Sequence, residues 1–163
     1  MSEPPTAQDT AIWQRRLASQ ANNRAWALTE SLSRTPEDSE EMLQAAHAAM
    51  YLWRSVGNAN NHAHAAQLLA HTYALLGLGN PAQHYLAKSN PVFFGEGAEP
   101  WEVALAHAVT ANVAAATGDT GAHRTHYAQA SRLIAALPDP EDRNILNATL
   151  RVVPTPSEEA SAA

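Results

Sequence analysis

Cysteine is absent from all 163 residues. Disulfides, thiolate nucleophiles and sulfur metal ligands are therefore excluded, while the redox compartment stays open. Phenylalanine occurs twice against thirty-five alanines, so small side chains have to supply most of the packing. No apolar run approaches the roughly 20 residues needed to cross a bilayer. The opening MSEPPTAQDT also lacks the basic patch and apolar core of a secretion signal. A cytoplasmic protein without a membrane partner is the expectation. Ten scattered Lys and Arg within a formal charge of −6 form no basic stripe for a phosphate backbone, so no nucleic-acid partner is expected. Enzyme signatures are missing too: there is no glycine-rich phosphate loop, no Gly-x-Ser-x-Gly elbow and no His-Glu-x-x-His. No run of β-branched residues alternates with polar ones, which argues against strands.

What remains is a helical chain long enough for one domain with a real core. The seven glycines and ten prolines avoid the Ala/Leu-rich runs and mark their ends. They predict about seven helices, at 8–34, 37–56, 60–76, 80–89, 100–117, 119–136 and 141–151. Asp119, Pro36-Glu37-Asp38 and Pro140-Glu141-Asp142 place a cap or an acidic first turn where the helix dipole favours one. In the first helix Trp13, Leu17, Ala21, Ala25, Leu28 and Leu32 keep a spacing of three or four, which predicts one apolar face. Residues 1–7 and the acidic 154–163 are expected to be disordered, with a single domain at 8–153.

Ala70, Tyr73, Gly77, Ala82 and Leu86 follow one another at steps of 3, 4, 5 and 4 residues. This resembles the rhythm of tetratricopeptide (TPR) repeats. Ala111, Ala114, Gly118, Tyr127 and Ala130 reproduce part of it, with His123 in the small position and Ala114 in the aromatic one. Small residues let helices cross closely, and the glycine turns the chain back antiparallel. The predicted fold is all-α, a TPR-like stack of antiparallel helical hairpins with atypical ends.

A closer resemblance covers about residues 45 to 150. AAHAAMYLWRSVGNANNHAHAAQLLAHTYALLG, NPAQHYL, EVALAHAVTANVAAATGD and LPDPEDRNIL are similar to a family of small, largely uncharacterised bacterial TPR-like proteins. The resemblance implies a TPR-like fold and an interaction role. It also implies differences: relatives tend to carry arginine where this chain has His62, His64 and His71, and an acidic residue near Ala108.

Charge distribution suggests where a site would lie. Between Met42 and Gly95 only Arg54 and Lys88 are charged, histidine aside, and no charge falls between Val103 and Gly118. Such stretches belong to central helices, so 60–76 and 100–117 should be the most buried. On ideal helices Gln44, His47, Tyr51 and Arg54 form one polar stripe, and Asn60, His64, Gln67 and His71 another. Together with His107 they are the candidate binding groove, for a protein or peptide partner. Small-molecule or metal binding is the alternative, as is a histidine acid/base enzyme using His47, His64, His71 or His107. No cofactor is expected and no catalytic residue is assigned. His123-x-x-His126 puts two imidazoles on one helical face, and His62-x-His64 could chelate only if its helix starts late; no thiol or carboxylate lies near His62 or His64 to complete a zinc site, so no metal is assigned. Trp13, Trp26, Trp53 and Trp101 are expected to anchor helix contacts, and Phe93 and Phe94 to tuck a loop onto the stack. The first helix is expected to cap the stack or mediate a homodimer.

Overall fold

The computed structural model describes residues 4–157; the expectations for 1–3 and 158–163 lie outside the described residues. Seven helices and no strand occur among them: α1 Ala7–Thr29, α2 Pro36–Val56, α3 Ala59–Leu75, α4 Gly79–Phe93, α5 Pro100–Thr117, α6 Thr120–Ala136 and α7 Pro140–Arg151. Apart from α4, whose N-cap Leu78 makes no side-chain bond, the helix starts have a local chemical cause. Thr6 and Asp9 cap each other's orphan amides at α1, Thr35 and Asp38 do so at α2, and Asn58 and Asn61 at α3. Asp119 accepts from the amide of Ala122, and Asp139 from that of Glu141.

Two boundaries differ from the expectation. Helix α1 stops at Thr29 rather than 34, because Arg34 folds its guanidinium back onto the carbonyls of Leu28, Thr29 and Ser31 and satisfies the orphan acceptors of the last turn. The apolar face inferred for this helix breaks up accordingly. Ala25 and Leu28 are buried, whereas Trp13, Leu17 and, beyond the helix end, Leu32 are exposed. Helix α4 continues to Phe93 through Pro91. A proline there forfeits one hydrogen bond near the helix end, and the fully buried Phe93 holds the last turn against α3 and α5 through Ala63 and Ala106.

The most extensive pairings are α1 with α2, α3 with α4 and α5 with α6, so the chain is a stack of three antiparallel hairpins closed by α7. The odd-numbered helices α1, α3, α5 and α7 also touch one another in succession. Gly77 and Gly118 turn two of the hairpins in the same way. Both are left-handed, at φ 72 and 78. In each case the next amide, Leu78 or Asp119, reaches back to the carbonyl five residues earlier, Tyr73 or Ala114.

Helices α3 and α5 carry the most buried residues, as their missing charges imply. Ala70, Ala82, Ala111 and Ala130 are fully buried at the close crossings, and they join Val109, Ile134 and Leu146 in the main core. Ala25, Ala46, Leu68 and Leu69 form a second cluster joining the first hairpin to α3. No helix is long and apolar enough to cross a membrane among the described residues.

Candidate functional site

Because the odd-numbered helices run side by side, residues far apart in sequence face one cavity of about 470 Å³. Helix α1 contributes Asn22, Asn23, Trp26 and Glu30; α2 contributes Trp53 from its last turn. From α3 come Asn61 and His64, from α5 Trp101 and Leu105, and from α7 Asp142, Ile145, Leu146 and Thr149. Three of the four tryptophans therefore form walls of a groove, where the sequence suggested only helix anchors. Trp13, the fourth, is 58% exposed on α1 away from it.

His64 is the best-anchored polar group of the groove. Its Nε2 lies 2.8 Å from Glu102 Oε1, which also accepts from the Asn60 amide at 3.2 Å. The second oxygen of Glu102 accepts from the backbone amide of Glu99 at 2.9 Å, so one carboxylate both caps α5 and locks α5 to α3. Burial opposes charge on Glu102. The bonds from Glu99, His64 and Asn60 outweigh it and hold the carboxyl below its ordinary range. The His64 ring stacks on Trp101 at 5.5 Å with 6° between planes, and Phe93 closes its other side at 4.5 Å.

The nine residues expected in one groove are dispersed, and His64 alone lines the cavity. Asn60 supports it through Glu102. Gln67 and His71 lie in the same stripe but are completely buried, because this face of α3 packs under α1 and α5. His71 Nδ1 meets the Asn112 amide at 3.0 Å and its ring stacks on Trp26, one of the groove walls. Burial first, and then the charge of Arg34, push the imidazole down to about 3. His71 Nε2 and both polar atoms of Gln67 have no hydrogen-bond partner among the described residues.

The α2 stripe takes no part in the cavity. Gln44 bonds Glu40 on the surface, Tyr51 is 71% exposed and Arg54 is exposed. His47 turns instead to α3, where its Nε2 sits 2.7 Å from the Tyr73 hydroxyl; burial lowers its pKa. His107 pairs with His126 of α6, Nδ1 to Nδ1 at 2.8 Å, beside Phe94. One ring must donate and the other accept. Burial and then mutual repulsion lower His107, and burial lowers His126.

Both chelate-like spacings diverge. His62 Nε2 bonds the Trp53 carbonyl while His64 bonds Glu102, and His123 Nε2 bonds the Pro154 carbonyl while His126 bonds His107. Among the described residues no three His, Asp or Glu side chains converge as a metal site would require. Phe93 packs inward as expected, whereas Phe94 is 42% exposed beside the histidine pair.

Two groove carboxylates stand without partners. Neither Glu30 nor Asp142 accepts a hydrogen bond at its side chain or joins an ion pair among the described residues. Burial raises the pKa of Glu30, and Arg151 offsets this only from a distance. Asn61 uses its oxygen to cap α3, which leaves its amide hydrogens for another acceptor. The groove thus offers aromatic faces, amide donors and unneutralised negative charge, with no lysine or arginine in its wall.

No family model, curated protein or solved structure matches this chain.

Proposed function

We propose that this chain is a TPR-like binding module, an adaptor or scaffold, whose groove across the odd-numbered helices receives a peptide segment of a protein partner. One observation carries the reading: Trp26, Trp53 and Trp101, supplied by three different helices, share one open cavity with His64, Asn22, Asn23 and Asn61. Large rings left half-exposed in a concave site are the usual anchors of recognition. Asparagine amides both donate and accept, and so match a peptide backbone. The resemblance of residues 45–150 to small TPR-like proteins points the same way.

Selection of peptides from a display library on the full chain, followed by NMR titration of the selected peptides, tests this. The indole resonances of Trp26, Trp53 and Trp101 should shift while that of Trp13 stays put. Binders that move only Trp13, or a library that yields none, would overturn the reading.

The cavity volume supports a second one, because about 470 Å³ is also the size of a small-molecule site. A histidine acid/base enzyme would then use His64, whose Nε2 is held by Glu102 and whose Nδ1 has no hydrogen bond among the described residues. Turnover of a specific small molecule that disappears with His64→Gln would favour it.

A further inference from the structure

We infer that the occupant of the groove is a peptide segment carrying a lysine or arginine whose cationic end lies among Trp26, Trp53 and Trp101, close to Glu30 and Asp142. This rests on the peptide reading above and adds the chemistry of the partner. Three features of the groove converge on a cation.

Among the described residues its formally charged wall residues are Glu30 and Asp142, both half-buried, and neither accepts a side-chain hydrogen bond or joins an ion pair. Tryptophan rings attract an ammonium or guanidinium at their faces, and three of them line this cavity, with one face of Trp26 stacked on His71 and one face of Trp101 stacked on His64. The charge of Arg151 acts on Glu30 without forming an ion pair with it among the described residues, which leaves the carboxylate oxygens open to a donor.

A lone organic cation fits less well than a peptide, because the wall also holds Asn22, Asn23 and Asn61, amides that a bare ammonium cannot satisfy.

The probe is a set of acetylated, amidated nonapeptide pools with mixed flanks and a fixed central lysine, arginine, norleucine or glutamate. Binding is read from the indole resonances of the three groove tryptophans. The lysine and arginine pools should bind about tenfold more tightly than the norleucine pool, and the glutamate pool worst, with the gap narrowing as salt rises. In a Glu30→Gln/Asp142→Asn variant of unchanged helicity, the basic preference should vanish while the norleucine pool still binds.

Equal binding of all four pools at the groove would overturn the cationic specificity and leave the peptide reading intact. Pools that move no groove tryptophan would overturn both. N-acetyl-lysine methylamide or tetramethylammonium binding as tightly as the lysine pool would replace the peptide by a small organic cation. A basic preference that persists in the double variant would show that the two carboxylates do not create it.

Discussion

Glu102 on α5 and His64 on α3 meet at 2.8 Å, which ties two central helices together at the edge of the groove. Replacing Glu102 with alanine strips a partner from His64, Asn60 and the Glu99 amide at the N-cap of α5 at once. The expected loss is about 2–3 kcal/mol, the scale of hydrogen bonds to a charged group. Urea unfolding measures it, and Trp101 fluorescence should change because its stacking partner is released. The carboxyl is held below its ordinary range in the fold, so its contribution is present above the unfolded value of about 4.3 and lost as pH falls through the folded one. The wild-type chain should therefore lose stability below about pH 4.3 faster than Glu102→Gln.

His71 should govern a higher pH window. The unfolded imidazole takes a proton near 6.5, whereas the buried one resists until about 3. Between those values the unfolded state binds the extra proton, so stability falls as pH falls, with a limiting slope of about 1.4 kcal/mol per pH unit. Denaturation midpoints of the wild type and His71→Leu, measured from pH 7 to 5, should diverge in slope. Parallel profiles would show that His71 is protonated inside the fold.

Gly77 and Gly118 should respond alike to alanine. A Cβ at either position meets no atom within 4 Å, so the cost is conformational only. Each substitution should lower stability by about 1–2 kcal/mol, the penalty of an L-residue in the left-handed region. Thermal melts of both variants check this, and an unchanged melting temperature for either would show that its turn does not depend on glycine.

Gly57 poses the opposite problem, because its backbone is extended but its surroundings are full. An added Cβ would lie 2.7 Å from the Trp53 carbonyl oxygen and 2.9 Å from Asn61 Cβ. Backbone cannot yield as a flexible side chain does, so Gly57→Ala should cost about 1–3 kcal/mol through overpacking. Trp53 and Asn61 both line the groove, and the Trp53 indole resonance should move with the loss.

Much of the fold was legible because its causes are local. Glycine turns depend on the few residues around Gly77 and Gly118, and caps such as Asp119 act within one helical turn. The central position of α3 and α5 was legible because each charge must find water or a partner wherever it lies, so a helix without charge, as α3 is and as α5 is beyond Glu102 in its first turn, goes inside. The α1 end was misplaced for a related reason: Arg34 caps the helix from a loop, at separations no periodicity records.

The site was a different matter. Periodicity places Asn60, His64, Gln67 and His71 on one face of α3, but it cannot say that His64 lines a groove while Gln67 and His71 are sealed beneath neighbouring helices. Nor does spacing bring Glu102 to His64, or separate His123 from His126. A usable signal existed in the tryptophans, large rings in a chain otherwise packed with alanine, yet composition does not tell an anchor from a wall.

The amino-acid order thus determined where the helices begin, where Gly77 and Gly118 turn the chain and which helices lie inside, since capping, turning and desolvation are settled by each residue and its near neighbours. Which faces meet was decided only in the tertiary structure, because helix crossings follow from packing many side chains together. That packing brings Trp26, Trp53 and Trp101 around one cavity with Glu30 and Asp142, which join no ion pair among the described residues.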